Sequence, residues 1–141
     1  MPLEQLSVFL ENRSGGLAEV VQVIADAGVN IRAASVADMA EFGILRLLVD
    51  DTEEARRVLQ AAGYTAAKTK VVAVAVPDRP GGLAHTLAVL RDAGVSVEYM
   101  YDVVRRNEGD AVLVFRFEET EKAVATLRAA GLRVLAAGEL A

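Results

Sequence analysis

The sequence predicts an α+β protein made of two tandem β-α-β-β-α-β units. Three observations carry this: an internal duplication, a repeated order of hydrophobic periods, and a junction without a linker. Asn12-Arg-Ser-Gly-Gly-Leu-Ala18 returns as Asp78-Arg-Pro-Gly-Gly-Leu-Ala84, and residues 12–30 agree with residues 78–96 at 10 of 19 positions. Unrelated segments of average composition would share roughly one or two. Later the offset grows from 66 to 68, so that Ala61-Ala62-Gly63 falls on Ala129-Ala130-Gly131 and the second copy carries two extra residues in its middle. The units are expected at residues 1–69 and 70–141.

Each element follows from a local pattern. Leu6, Val8 and Leu10 alternate as one face of a strand, whereas Leu17, Val20, Val21 and Ile24 recur at helical spacing until Gly28 stops the helix. Val29–Ala37 and Phe42–Val49 are β-rich, and Asp38-Met39-Ala40-Glu41 between them suits a hairpin connection. Thr52 is expected to cap a second helix with Glu53 and Glu54 in its first turn, an apolar face at Ala55, Val58, Leu59 and Ala62, and Gly63 as its stop. A short strand over Tyr64–Thr69 closes the copy. The second copy repeats the order with Val71–Val76, Leu83–Ala93, Val95–Val104, Ala111–Phe117, Thr120–Ala130 and Leu132–Ala136. Such a split βαβ order is the ferredoxin-like arrangement, an antiparallel sheet with both helices on one face. Lys70 leads directly into Val71 without polar, turn-forming residues, which favours two units locked together over a flexible tether.

Composition removes many chemistries. The 141 residues include no Cys, no Trp and a single His, His85, which excludes disulfides, thiolate metal sites, cysteine nucleophiles and paired-histidine metal ligands; no metal and no cofactor are expected. With 15 Lys+Arg against 20 Asp+Glu the net charge is −5, the wrong sign for tracking phosphates, so nucleic acid is not an expected partner. The start Met1-Pro2-Leu3-Glu4-Gln5 lacks a basic region followed by an apolar stretch. No uncharged apolar run approaches the roughly 18 residues of a membrane span. The expectation is a cytoplasmic protein with no membrane partner. His85 follows Ala84 on the first turn of the second copy's first helix, aligned with Glu19, and has no carboxylate or thiol beside it in sequence, which makes it a poor catalytic centre.

The loops between first strand and first helix are the strongest chemical feature. Gly15-Gly16 and Gly81-Gly82 ahead of an apolar helix allow close approach of backbone N–H groups to an anion, a phosphate or a carboxylate, at the positive helix end. Neither loop has the Gly-Lys-Ser/Thr of a nucleotide cradle. Ser14 and Pro80 also suit an ordinary helix start, and the glycines a plain tight turn.

Glu11-Asn-Arg-Ser-Gly-Gly-Leu17 with Gly28-Val-Asn-Ile31, and Asp78-Arg-Pro-Gly-Gly-Leu83 with Gly94-Val-Ser-Val97, resemble the ACT-domain pattern. Phe42-Gly-Ile-Leu-Arg46 and Glu98-Tyr-Met-Tyr101 resemble segments of small tandem ACT proteins. The resemblance implies that the two units pair into one eight-stranded antiparallel sheet with helices on one face, and that a free amino acid binds at the interface between them. Asn12 matches the loop amide that holds the effector, and Asn30 its partner after Gly-Val. Their counterparts are Asp78 and Ser96. Asp78 would repel a carboxylate and suit an ammonium, so the two copies are not equivalent. The implied ligand-binding set is Asn12, Ser14, Gly15, Gly16, Leu17, Asn30 and Ser35 in the first copy. In the second it is Asp78, Pro80, Gly81, Gly82, Leu83, Ser96, Tyr99, Met100 and Tyr101.

Strand alternation places Val95, Val97, Tyr99, Tyr101 and Val103 on one face and Met100 on the other, with Ala33 and Ser35 as the first-copy equivalents of Tyr99 and Tyr101. The function expected is a non-catalytic, regulatory amino-acid sensor, by analogy a homodimer, with a regulated enzyme downstream. Two rivals stand beside it. One is an assembly module that binds protein through sheet edges or helices, and the other is an acylphosphatase-like hydrolase using Arg13 or Arg79.

Overall fold

A computed structural model describes residues 3–38, 41–107 and 109–140. The strands are β1 (Leu3–Glu11), β2 (Ile31–Asp38), β3 (Phe42–Val49), β4 (Ala66–Pro77), β5 (Val97–Asn107), β6 (Asp110–Phe117) and β7 (Arg133–Leu135). The helices are α1 (Gly16–Asp26), α2 (Thr52–Ala61), α3 (Gly82–Asp92) and α4 (Thr120–Ala129), and a 3-10 turn, Ala137–Leu140, follows β7. Met39 and Ala40 of the expected hairpin connection lie outside the described residues.

Glu4–Thr69 forms one compact unit, and the chain from Lys70 onward the other. The first has strand order β2-β3-β1-β4 and the second β5-β6-β4-β7. The described strands number seven, not eight. Tyr64–Thr69 and Val71–Val76 were expected as two strands, but no glycine, proline or turn residue parts them, and they form the single twelve-residue β4. Its first residues serve the first unit, where Phe9 N donates to Thr65 O at 3.0 Å and the Ser7 and Thr69 hydroxyls lie 3.3 Å apart. Its later residues pair with β6 and β7 in the second.

Each unit carries its helices on one sheet face. In the first, Leu6, Val8 and Leu10 of β1 and Leu45 and Leu47 of β3 pack with Val20 and Ile24 of α1 and with Ala55 and Leu59 of α2. In the second, Val72, Val74, Val76, Phe115 and Phe117 pack with Leu90, Ala123 and Leu127, and the Phe115 and Phe117 rings stack with centroids 5.5 Å apart. Each fully buried Leu, Ile or Phe contributes about 1.5–3 kcal/mol of transfer free energy, which fixes the strand faces and so the register.

Two local expectations are corrected. The cap of α2 is Asp51, not Thr52: its carboxylate accepts from Glu54 N at 3.1 Å and satisfies a first-turn donor. In β5 a register shift between Val97 and Tyr99 breaks the alternation. Val97 packs in the helix-side core, whereas Tyr99 and Tyr101 sit opposite Arg116 and Val114 on the reverse face. The extra residue of a bulge flips the sequence to the other face, and the same shift recurs in the first copy between Ile31 and Ala33. The two-residue insertion of the second copy falls at a further shift between Asp102 and Arg106.

Candidate ligand site at the glycine loops

The two loops have the same backbone. Arg13 N donates to Glu11 O and Arg79 N to Pro77 O, both at 2.9 Å; Gly16 N donates to Arg13 O at 3.2 Å and Gly82 N to Arg79 O at 3.0 Å. Gly15 and Gly81 cap α1 and α3 with φ of 82° and 85°, and neither helix has a side-chain cap. A residue with a side chain is strained at that φ, so the first glycine of each pair is a turn requirement. The second is demanded by space. A Cβ on Gly82 would lie 2.0 Å from Pro77 O, and one on Gly16 would lie 3.3 Å from Glu11 O. Close backbone approach is real here, but the partner is the chain's own preceding carbonyl. First-turn N–H groups of a helix lack intrahelical partners, and an anion is favoured there.

Side chains make the loops different. In the first, the Arg13 guanidinium donates to Glu19 Oε2 at 2.6 Å, and the Tyr64 hydroxyl donates to the same oxygen at 3.0 Å. These hydrogen bonds, Arg13's foremost, hold the Glu19 carboxyl below the usual carboxylate range. Partial burial and then the bond to Glu19 push the Tyr64 phenol up. In the second copy His85 stands for Glu19 and Leu132 for Tyr64. Arg79 has no carboxylate partner among the described residues.

Four of the expected residues converge on one cavity of the second unit. Asp78, Leu83, Met100 and Tyr101 line a pocket of about 470 Å³ together with Arg79, Asp102, Val103, Val76, Pro77 and Ala111–Leu113. Pro80 and Gly81 are exposed beside it, and Gly82 is buried. Tyr99 lies half-buried on the reverse face. In the first unit a smaller pocket of about 270 Å³ takes in Gly16, Arg13, Glu11, Phe9, Leu10 and Gly63–Thr65. Asn12, Ser14, Gly15 and Leu17 are exposed around that loop. Ser35 is half-buried opposite Arg46.

Asn30 and Ser96 are not brought to the loop of their own copy. Asn12 N bonds Glu41 O at the start of β3, whereas Asn30 N bonds the Asp50 carboxylate beyond its end, at 3.0 Å. The eight residues of β3 separate them by roughly 20 Å or more at about 3.3 Å per residue. Ser96 stands equally far along, since Val97 pairs with Phe117 and Asn107 with Asp110. Arg79 and Asp102 were absent from the expected set. The Arg at the same place in both loops was the available signal, and for Asp102 the signal was its alternation with Met100.

No described helix is long and apolar enough to cross a membrane. Among the described residues no group of three or more His, Asp or Glu could hold a metal ion. No curated protein matches the sequence. The fold is similar to that of protein BT0572 from Bacteroides thetaiotaomicron, with 38% identity, 99% of this chain and 96% of that one covered, and a TM-score of 0.93. It is also similar to the ligand-free regulatory subunit of aspartate kinase from Thermus thermophilus, with 20% identity, 91% and 90% covered, and a TM-score of 0.67. The corresponding subunit from Thermus flavus gives 18% identity, 89% and 88% covered, and 0.62. The family described as ACT domain pair matches residues 1–141. Its duplicated β-α-β-β-α-β order, glycine-loop turns and full-length match together place the chain in the ACT domain pair family.

Proposed function

We propose that this protein is a regulatory module that binds a free amino acid without transforming it, and that the pocket of the second unit supplies the binding residues. The carrying observation is that the pocket brings together a helix N-terminus, Asp78, Arg79 and Met100. An α-amino acid presents one anion and one cation a few ångströms apart, and these groups answer both. Asp78 suits the ammonium, the loop N–H groups suit the carboxylate, and Met100 and Leu83 suit the side chain. Membership of the ACT domain pair family and the fold likeness to subunits named as regulatory support the same reading. The resemblance locates effectors where two units meet, and the reading requires only that the second unit's pocket supply one wall. By the same analogy we propose a homodimer in the cytoplasm.

A sensor of this kind works between millimolar and micromolar affinity, about −4 to −8 kcal/mol. The test is a thermal-shift series with the twenty proteinogenic amino acids. A ligand at 100 times its dissociation constant adds about 2.7 kcal/mol to folded-state stability, and the midpoint rises accordingly. No rise with any of the twenty at millimolar concentration would sink the sensor reading and leave the ligand-free assembly module in its place.

A further inference from the structure

The two loops share one backbone and one arginine, yet only one of those arginines is already neutralised. Arg13 is held by Glu19 at 2.6 Å, and Glu19 is held in turn by the Tyr64 hydroxyl at 3.0 Å. The Glu19 carboxylate therefore stands beside the first loop's guanidinium as the carboxylate of a ligand would. At the equivalent places the second loop has His85 and Leu132, which offer Arg79 no anion. Arg79 is exposed, lines the cavity of about 470 Å³, and has no carboxylate partner among the described residues.

We propose that Arg79 is the carboxylate anchor of the ligand site, and that Glu19 closes the first loop against carboxylates by occupying Arg13 from within the chain. This rests on the amino-acid-binding reading and deepens it. Arg79 holds the α-carboxylate as a charge-assisted, bidentate pair. One chain then binds through its second loop alone. Specificity between the loops comes from residues 19 and 85 and not from the shared glycines. An internal carboxylate has no translational entropy to lose, so Glu19 competes with a free ligand's carboxylate for Arg13.

The experiment uses the full chain with two readouts. The first needs no ligand: phenylglyoxal, which attacks accessible guanidinium groups, is followed at each arginine by peptide mass spectrometry. Arg79 should react several-fold faster than Arg13. His85→Glu with Leu132→Tyr should slow Arg79 to the Arg13 rate, and Glu19→His should speed Arg13. Equal rates at Arg13 and Arg79 in the wild-type protein overturn the proposal.

The second readout is the amino-acid thermal-shift series on the wild type, Arg79→Ala, the double variant and Arg13→Ala. The rise seen with the wild type should fall at least tenfold in apparent affinity in the Arg79→Ala and double variants and persist in Arg13→Ala. Binding that survives both second-loop changes overturns the anchor while leaving the sensor reading intact. If no amino acid shifts the wild type although the reactivities differ as expected, the sensor reading has failed and the ligand assignment falls with it. Ligand-free midpoints of the variants within a few degrees of wild type show that folding is not the cause; Arg13, Arg79 and His85 are exposed, and Leu132, half-buried against the second core, is the position where that check matters most.

Discussion

The first and second glycine loops began as the same sequence and still have the same turn, but they no longer have the same chemistry. In the first, Arg13, Glu19 and Tyr64 form a closed network over a pocket of about 270 Å³. In the second, His85 and Leu132 stand in place of the network's acid and phenol, beside a pocket of about 470 Å³ that Arg79 and Asp78 line. A duplicated scaffold keeps what the turn requires and frees the neighbouring positions. The glycines are held by φ and by space, whereas residues 19 and 85 face outward and can differ without cost to the fold. One copy thus became self-satisfied, while the other kept an arginine with no carboxylate partner among the described residues. Electrostatic asymmetry between the copies is a more specific guide to a ligand than the motif they share.

The same comparison can be broken by substitution, starting where the effect is largest. A Cβ at Gly82 meets Pro77 O at 2.0 Å and one at Gly16 meets Glu11 O at 3.3 Å, so Gly82→Ala forces backbone to move and Gly16→Ala only nudges it. Gly82→Ala should cost about 3 kcal/mol or more, and Gly16→Ala about 1 kcal/mol or less after the gain in helix propensity. Urea melts of the two variants test this, and equal losses would mean that the loops are not packed differently.

The caps of the second helices come next. Asp51 accepts from Glu54 N at 3.1 Å, whereas its counterpart Glu119 makes no side-chain cap bond. Asp51→Ala should cost about 1 kcal/mol and Glu119→Ala nearly nothing. A loss at Glu119 matching that at Asp51 would remove this difference between the copies.

The smallest effect is at Glu19, an exposed ion pair. Its carboxyl titrates below the usual range because Arg13 and Tyr64 favour the charged form. A carboxyl whose folded pKa is depressed contributes stability above its unfolded value, about 4.3, and loses it as pH falls through the folded value. The stability difference between wild type and Glu19→Gln should therefore be present at neutral pH, shrink below about pH 4.3 and close at lower pH. A difference that stays constant down to acid pH would show that Glu19 acts through packing and not through charge.

Much of this was legible in the chain. The β3 bounds, Phe42–Val49, coincide with the apolar run, and α1, α2, α3 and α4 each fall within about two residues of the helical spacing and glycine stops that define them. Periodicity reports burial, and burial decides these elements. The faces of β5 were not legible, because a bulge is an extra residue whose placement depends on the partner strand. Val97 turned inward and Tyr99 outward although alternation places them together. The cap at Asp51 was missed by one residue, since Asp and Thr both suit that position and only the chain's φ separates them.

The sequence by itself determined the duplication, the order of elements, the glycine turns and the side of each helix that is buried. Those properties are local, or are repeated in register, and each is written in a spacing. The tertiary structure alone decided that two expected strands are one, because continuity of β4 depends on what pairs with each of its halves. It also decided which site residues meet. Asn12 and Asn30 are 18 positions apart and stand at opposite ends of β3, whereas Asp78 and Tyr101, 23 positions apart, line one cavity. Distance along a chain that reverses at every turn does not give distance in space, and the charges that remain unmatched are known only once their neighbours are placed.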